Sequence, residues 1–267
     1  MLRGFYTAAS GMIAQQRQQE ALSNNIANAN TPGFKADRAA VRAFPEMLME
    51  RMGTKSIPVT RGLNIPANKM IGALNTGVYV QEAVPDYSQG DLKETGLSTD
   101  LAIVQDAVPD KNGALFFTVQ NENGEARYTR NGNFTVDSAG FLVTNQGYRV
   151  LDTAGNPVET GGMEFQVADN GTIELQGRNI PLGIAYARDA NQLAKEGNDL
   201  FRGEAEAVPA GATFAIHQGA LEQSNVDAMQ SMTQMMESYR VYETNQRVLK
   251  AYDESMGKAV SEIGRIG

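Results

Sequence analysis

Both ends of the chain carry apolar residues at the spacing of a helix face. Near the N-terminus the apolar positions recur three and four residues apart, which predicts one amphipathic helix within residues 1–30. This helix has to end before Pro32, because a proline disfavours helical geometry in the residue that precedes it. The apolar stripe consists of Leu2, Phe5, Tyr6, Ala9, Met12, Ile13, Leu22 and Ile26.

The C-terminal segment carries a longer pattern of the same kind. Its positions alternate four and three residues apart, which is the heptad spacing of helices that pack against a partner helix. Only Gln246 and Asp253 interrupt the series with polar side chains. The pattern predicts a coiled-coil-like helix over residues 225–263 with a seam of Ala228, Met232, Met235, Tyr239, Tyr242, Gln246, Leu249, Asp253, Met256, Val260 and Ile263.

The start of this second helix has a sequence signal of its own. The stretch Ser224-Asn225-Val226-Asp227 resembles a capping box, with Ser224 as the N-cap residue and an acidic residue three positions later. A single amphipathic helix is marginally stable in water unless its apolar stripe is covered. We therefore expect the two seams to cover each other as an antiparallel pair, or to join a bundle with other chains.

The middle of the chain consists of short runs that alternate apolar and polar residues. Turn signals such as Asn123-Gly124, Ala139-Gly140 and Asn170-Gly171 separate these runs at intervals that favour an antiparallel sandwich or partial barrel. The predicted strands are Gly77–Val80, Leu115–Val119, Arg127–Thr129, Asn133–Val136, Phe141–Val143, Tyr148–Leu151, Met163–Val167, Thr172–Leu175 and Ile184–Ala187.

Together these patterns predict an α+β fold, with long N- and C-terminal helices flanking an inserted all-β domain of short antiparallel strands. Residues 1–31 and 221–267 are expected to form one discontinuous helical assembly domain. Residues 32–75 have little periodicity and several prolines and glycines, and they read as an extended linker. Residues 76–220 form the predicted all-β domain.

The end of the first helix is unusually rich in asparagine, a residue that favours helix ends and turns over helix interiors. Asn24, Asn25 and Asn28 lie within about one helical turn, so one hypothesis is that they present amides to neighbouring chains. Asn30 would close the helix in the left-handed conformation. Pro32 and Gly33, followed by Phe34, then form a type II turn toward the β domain. The alternative is an ordinary helix end and turn.

Charge and composition exclude several classes of protein. Residues 76–220 hold twenty Asp and Glu against nine Lys and Arg, which argues against nucleic acid as a partner. The chain has no cysteine, so it has neither a disulfide framework nor a thiolate metal site. It has no apolar run long enough to span a membrane and no N-terminal apolar segment of a cleavable signal peptide.

Catalytic chemistry has little support in the sequence. His217 is the single histidine, and no nucleophile motif accompanies it. Acidic pairs such as Asp106 and Asp110 are expected by chance in so acidic a segment, and no phosphate-binding loop is present. We therefore predict no enzyme activity, no cofactor, no metal site and no small-molecule substrate.

Three separated motifs resemble the bacterial flagellar rod and hook proteins. Residues 25–36, Asn-Ile-Ala-Asn-Ala-Asn-Thr-Pro-Gly-Phe-Lys-Ala, are similar to the N-terminal signature of that family. Residues 219–227 and 239–245 are similar to two parts of its C-terminal helix. In the middle, Thr99–Ile103 and Tyr128–Phe134 also resemble the family, and the motifs occur in the family's order.

The resemblance implies a structural subunit of the flagellar basal-body rod, most similar to the distal-rod type. Such a subunit is expected to leave the cell through the flagellar type III export apparatus and to assemble with itself and other axial proteins into a hollow shaft. Its terminal helices would mediate that assembly. The alternatives are a hook-type axial protein, a transient scaffold or cap for rod assembly, and a secreted adhesin or enzyme-associated β domain.

Overall fold

A computed structural model of the chain describes residues 2–57, 63–197 and 199–264. Helix α1 (Leu2–Ala27) and helix α2 (Ala228–Ile263) flank a long series of short strands, which confirms the predicted α+β class with two terminal helices. The strands are β1 (Asp37–Ala43), β2 (Met47–Ile57), β3 (Leu63–Leu74), β4 (Val78–Pro85), β5 (Leu92–Glu94), β6 (Leu101–Ala107), β7 (Ala114–Gln120), β8 (Ala126–Thr129), β9 (Phe134–Val136), β10 (Leu142–Thr144), β11 (Arg149–Val150), β12 (Gln166–Val167), β13 (Thr172–Leu175), β14 (Arg178–Pro181), β15 (Ile184–Ala187), β16 (Ala194–Gly197), β17 (Leu200–Arg202), β18 (Glu206–Ala207), β19 (Thr213–Gln218) and β20 (Ala220–Glu222).

The chain divides into two compact units. The helical unit comprises Met1–Ser23, Ala39–Ala83 and Met232–Gly267, and the sheet unit comprises Asn24–Arg38 and Val84–Ser231. Both units are discontinuous in sequence. The end of α1 and the start of α2 therefore belong to the sheet unit, whereas the sequence assigned the whole of residues 1–31 and 221–267 to a helical domain.

The segment expected to be an extended linker contains regular structure. Strands β2 and β3 pair as an antiparallel hairpin from Met47 opposite Leu74 to Ile57 opposite Leu63. Residues 58–62 lie outside the described residues. At the base of the hairpin Met47, Leu48 and Ile71 are all exposed, so this part of the ribbon buries neither face. A stretch without a buried face needs no alternating pattern, which is why the sequence at the base of the hairpin does not resemble a strand.

The sheet unit is built around one large sheet. Strands β16, β17, β8, β7, β11, β10 and β9 lie side by side in that order, and β15 pairs with both β7 and β18. Near the C-terminal end, β19 pairs antiparallel with β6 and β20 pairs antiparallel with β5. The chain thus returns to its earlier strands just before α2 begins.

The core of the sheet unit lies on two faces of β7. Leu115, Phe117 and Val119 point into the main cluster, where the Phe117 and Phe134 rings meet edge to face at 5.1 Å. Phe116 points the other way and packs against Phe201 at 5.4 Å between ring centroids. Because both faces of β7 are covered, its sequence is a continuous apolar run and not a strict alternation.

A recurring five-residue turn connects the strands of this sheet. In the described part of the chain it occurs at Asn121, Asp137, Thr144 and Asp152, each of which accepts a hydrogen bond from the backbone N–H four residues later through its side-chain oxygen. The fourth residue of each turn is a glycine with φ between 81° and 88°. L-residues with a Cβ rarely adopt this conformation, so glycine is the residue that fits.

Candidate assembly site at the two chain ends

The two terminal helices pack against each other within the helical unit. A side chain at Gly4 would overlap the hydroxyl of Tyr252, and a Cβ at Gly11 would lie 3.0 Å from the Nδ2 atom of Asn245. The hydroxyl of Ser238 donates a hydrogen bond to the carbonyl of Gln15 at 3.2 Å. As the contact positions rise in number along α1, their partner positions on α2 fall in number, so the helices are antiparallel. An antiparallel pair is one of the two arrangements expected from the sequence.

The face of α2 that this pairing covers is only partly the predicted one. Met235, Tyr242, Leu249 and Met256 are half-buried, which agrees with one column of the predicted seam. The other column is shifted by one residue: Ser238, Asn245, Tyr252 and Ala259 are covered, whereas the predicted seam positions Met232, Tyr239, Gln246, Asp253 and Val260 are exposed. The last predicted position, Ile263, is the final residue of α2, and its side chain is not described.

The shift follows from the small residues on α1. Gly4 and Gly11 have no side chain, so Tyr252 and Asn245 fill the space between the helices. Tyr239, which apolar periodicity alone places in the seam, is instead 62% exposed. A seam of polar and small residues gives up apolar burial but favours one register over its neighbours.

Both helices keep apolar side chains on their outer surfaces. On α1, Tyr6 is 65% exposed and Ile13, seven residues later, is 62% exposed. On α2, Met232, Met236 and Tyr239 form an exposed stripe with spacings of four and three. Each helix of the pair therefore presents a second apolar face that the pairing leaves open.

The start of α2 is capped by a different residue from the predicted one. The helix begins at Ala228, and the N–H of Gln230 donates to the Oδ1 atom of Asp227 at 2.9 Å. Asp227 is therefore the N-cap residue, and the prediction of Ser224 was wrong. The Ser224 hydroxyl accepts a hydrogen bond from Val226 in a preceding turn. Asp227 is the better N-cap because its carboxylate accepts a hydrogen bond from the third N–H of the helix. Its negative charge also interacts favourably with the positive end of the helix dipole.

The predicted turn after α1 is present. Gly33 has a φ of +70°, and the N–H of Phe34 donates to the carbonyl of Thr31 at 3.3 Å. Pro32 occupies the second position of this turn. Asn30 does not take the left-handed conformation: among the described non-glycine residues a positive φ occurs only at Gln176 and Asp199. Gly33 takes that role because it has no Cβ to strain.

Two asparagines of the candidate site use their side-chain amides to bond backbone groups of other residues in the same chain. Asn25 is 4% exposed, and its amide pairs with both the N–H and the carbonyl of Asp37 at 2.8 Å. Asn225 lies before α2, where its Oδ1 accepts from the N–H of Ala36 and its Nδ2 donates to the carbonyl of Asp86, both at 2.8 Å. The hypothesis that Asn25 presents its amide to a neighbouring chain is therefore wrong.

The other signature residues are more accessible. Asn24 and Asn28 line an open cavity of about 440 Å³, together with Phe34 and Lys195. The Nδ2 of Asn28 donates to the Oδ1 of Asn24 at 2.9 Å, and the Nδ2 of Asn24 lies 3.2 Å from a carboxylate oxygen of Asp37. These two amides remain candidates for contact with another chain. Phe34 is buried beneath the ammonium of Lys195, 4.5 Å from the ring centroid.

A buried ionic cluster lies beside the turn, and we call Lys35, Arg130 and Glu222 the ionic clasp. The Oε1 of Glu222 lies 2.6 Å from the ammonium of Lys35, and its Oε2 lies 2.5 Å from the Nε of Arg130. All three side chains are almost completely excluded from solvent. Arg130 also donates to the carbonyls of Leu115 and Ile103, so most of its hydrogen-bonding capacity is used.

The electrostatics of the clasp favour an ionised Glu222. Burial by itself raises the pKa of Glu222, but the charges of Arg130 and Lys35 outweigh it and hold this pKa below its ordinary value. For Lys35 burial is the dominant effect and lowers the pKa, against the attraction of Glu222. The Glu222 carboxylate contacts both cations, so this one residue is the shared counter-ion of Lys35 and Arg130.

The ionic clasp was not predicted from the sequence, although Lys35 and Glu222 both lie within motifs that were recognised. Lys35 and Glu222 are 187 positions apart in the sequence, and no local pattern marks a charged residue as buried. The signal that was available is weak: a lysine directly after Pro32-Gly33-Phe34 and a glutamate inside an otherwise apolar and small stretch.

The described residues contain no group of three or more acidic, histidine or cysteine side chains arranged to bind a metal ion. His217 is an exposed residue of β19, opposite Ala102 of β6. Across the parts of the chain with described structure, neither helix has a stretch sufficiently long and apolar to cross a membrane.

Three family models match separate parts of the chain. Residues 5–35 match the flagella basal body rod protein model, and residues 112–175 match the flagellar hook protein FlgE/F/G D1 domain model. Residues 217–262 match the C-terminal model of the flagellar basal body rod FlgEFG proteins. The first and third matches contain the ionic residues Lys35 and Glu222, together with most of α1 and α2.

Curated proteins are similar to the chain over its whole length. The flagellar hook-basal body complex protein FlhO of Bacillus subtilis (strain 168) is 42% identical over 278 residues, with 100% of both chains covered. The flagellar basal-body rod protein FlgF of Caulobacter vibrioides is 33% identical, again with 100% of both chains covered. FlgG of Borreliella burgdorferi is 31% identical, and the alignment covers 97% of this chain and 98% of the FlgG chain. The chain therefore belongs to the flagellar basal-body rod protein family and is a structural component of that kind.

Proposed function

We propose that this chain is a subunit of the rod that assembles with copies of itself and with other flagellar axial proteins through its terminal helices. The observation that carries this proposal is the exposed apolar surface on the helix pair. Tyr6 and Ile13 on α1, and Met236 and Tyr239 on α2, are large apolar residues that intramolecular pairing leaves in water. The stripe of Met232, Met236 and Tyr239 is closely spaced on one helix face, and exposed apolar patches of this kind are typical of protein interfaces.

The proposal includes the route and the place of assembly. The subunit reaches the basal body through the flagellar type III export apparatus without a cleaved signal peptide, and the helices lie in the packed part of a hollow shaft. The family membership and the two-unit architecture support this reading. The N-terminal sequence of the chain recovered from purified basal bodies tests the route, because a cleaved leader would remove residues of α1.

A pair of surface variants tests the helix faces. We expect Met236→Ser/Tyr239→Ser to reduce association of the purified full-length chain, measured by sedimentation velocity over a range of concentrations. Because both side chains are exposed, the thermal unfolding midpoint should change little. Arg240→Ser is the matched control, since it changes a neighbouring exposed residue of the same helix without removing apolar area.

The outcome separates the proposed role from its alternatives. If the double variant associates as strongly as the parent chain, the helix faces are not the assembly surface. If the parent chain is absent from purified basal bodies but present during their construction, it acts as a transient scaffold. A position in the hook and not in the rod would make it a hook-type axial protein, a class to which the matched D1 domain model also refers.

A further inference from the structure

Glu222 joins the two ends of the sheet unit through several independent contacts. Its carboxylate bonds Lys35 and Arg130, and its Oε1 also accepts a hydrogen bond from the N–H of Gly90 at 3.0 Å. Its backbone carbonyl accepts from the N–H of Gly33 at 2.8 Å. Glu222, near the C-terminal end of the unit, therefore contacts the turn at Gly33 and its neighbour Lys35 near the N-terminal end.

Two backbone N–H groups of the segment 33–37 bond distant residues, whereas those of Phe34 and Asp37 bond the nearby Thr31 and Asn25. The N–H of Gly33 bonds the carbonyl of Glu222, and the N–H of Ala36 bonds the side chain of Asn225. The neighbouring Asn225 also donates to Ser88, which accepts from the ammonium of Lys35 as well. Without residues 222–225, the N–H groups of the buried Gly33 and the half-buried Ala36 lose their acceptors, and leaving such groups unpaired is unfavourable.

The buried charges also make the folded segment 33–37 depend on Glu222, and more strongly than the hydrogen bonds do. Lys35 and Arg130 carry like charges on either side of one carboxylate, and both are buried. Removal of Glu222 takes away the one carboxylate that both cations contact, in a site that is almost completely excluded from solvent. Breaking a buried ion pair by removal of one partner is strongly destabilising, because it leaves an uncompensated charge.

We propose that Glu222 is a folding latch: residues 33–37 order only when residues 222–225 dock, so both ends of the sheet unit close in a single step. The pairing of β19 with β6 and of β20 with β5 brings the same C-terminal stretch into place. In a subunit exported as an unfolded chain, the signature segment would stay open until residues 222–225 have also left the export apparatus. This last consequence, unlike the latch itself, rests on the proposed function.

Refolding of the purified full-length chain, followed by pulsed hydrogen exchange and NMR, tests the latch. The N–H groups of Gly33 and Ala36 report on the N-terminal segment. The N–H of Gln223, which bonds the carbonyl of Asp91 at 2.8 Å, reports on docking of the C-terminal stretch. We expect all three to gain protection at one common rate. Protection of Gly33 and Ala36 before that of Gln223 would overturn the proposal.

A variant gives a second measurement at equilibrium. In Glu222→Gln, the N–H groups of Gly33 and Ala36 should exchange roughly a hundredfold faster than in the parent chain. The N–H of Thr118, bonded to the carbonyl of Gly183 within the large sheet, should stay protected. Glu206→Gln is the matched control, because it removes the carboxylate of the exposed pair with Arg188 and should change nothing.

Each outcome decides the question. Unchanged exchange at Gly33 and Ala36 in Glu222→Gln would contradict the latch. If that variant loses the whole sheet unit, the refolding order in the parent chain decides, since it needs no substitution. Neither measurement involves association, so failure of the latch leaves the proposed assembly standing, and failure of assembly leaves the latch intact.

Discussion

Gly33 lies so close to the backbone of Arg130 that an added Cβ would sit 2.5 Å from its carbonyl carbon and 2.6 Å from its carbonyl oxygen. The turn at Gly33 therefore needs glycine for two separate reasons. Its φ of +70° is unfavourable for any residue with a Cβ, and its neighbour leaves no room for one. At this turn the N–H of Gly33 also donates to the carbonyl of Glu222 at 2.8 Å.

Gly96 offers a matched control for these two effects. Its φ of +72° is nearly the same, but an added Cβ there would meet nothing within 4 Å. We expect Gly96→Ala to lower the free energy of unfolding by about 1 kcal/mol, from backbone strain alone. Gly33→Ala should cost clearly more, about 3 kcal/mol or above, because the backbone of Arg130 must move. Urea unfolding measures both, and equal costs would show that the close approach is unimportant.

The pH dependence of stability should report the ionisation of Glu222. Its pKa is held below the ordinary value of about 4.3, so its contribution to stability is complete above that value and is lost as the pH falls through the lower folded-state pKa. Glu222→Gln should lower the free energy of unfolding by about 3–5 kcal/mol at pH 7. The difference between the variant and the parent chain should begin to shrink below about pH 4.3 and should vanish only below the folded-state pKa of Glu222.

Urea unfolding at a series of pH values between 7 and 3 measures this difference. Glu206→Gln should change the free energy of unfolding by less than about 0.5 kcal/mol throughout, because its partner Arg188 is exposed to solvent. A constant difference between Glu222→Gln and the parent chain across the whole pH range would show that Glu222 is not the titrating group.

The capping of α2 can be tested by two single substitutions. Asp227→Ala removes the acceptor for the N–H of Gln230 and should lower the free energy of unfolding by about 1 kcal/mol. Ser224→Ala removes only the acceptor of a weak contact in the preceding turn, so we expect an effect of less than about 0.5 kcal/mol. A larger loss for Ser224→Ala in urea unfolding would restore it as the N-cap residue.

The helix pair makes a prediction about Gly4. Gly4→Leu should separate this end of α1 from α2, because the new side chain occupies the position of the Tyr252 hydroxyl. Hydrogen exchange of α2 residues around Leu249 should become faster in this variant. Gly257→Ala is the control: nothing lies within 4 Å of its position, and the gain in helix propensity should slow exchange slightly. Unchanged exchange around Leu249 in Gly4→Leu would contradict the antiparallel contact.

Features with local causes were predictable from the sequence. The turn at Pro32-Gly33 follows from the fixed φ of proline and the freedom of glycine, and the strand at Leu115–Val119 follows from an apolar run between turn signals. Each of these depends on a few adjacent residues. All of the strands predicted over residues 77–187 coincide with or overlap observed strands.

Features that depend on a distant partner were not predictable. Periodicity assigned Tyr239 to the seam of α2, but the small residues Gly4 and Gly11 of α1 decide which face is covered. The sequence holds only a weak signal for the burial of the charged Lys35 and Glu222, because their pairing exists only in the folded chain. The hairpin β2–β3 was missed for the opposite reason: its base buries no face, so no alternation marks it.

The five-residue turns have a practical consequence for work on the intact subunit. Each turn is held by the side chain of its first residue and by the glycine in fourth place, while the two residues between them, such as Glu122 and Asn123, lie exposed and supply only backbone groups to the turn geometry. These intervening residues can therefore be exchanged for cysteine and coupled to a fluorophore. Because the chain has no cysteine of its own, each such label would be unique, and the proposed export and incorporation of the subunit could be followed without disturbing either helix.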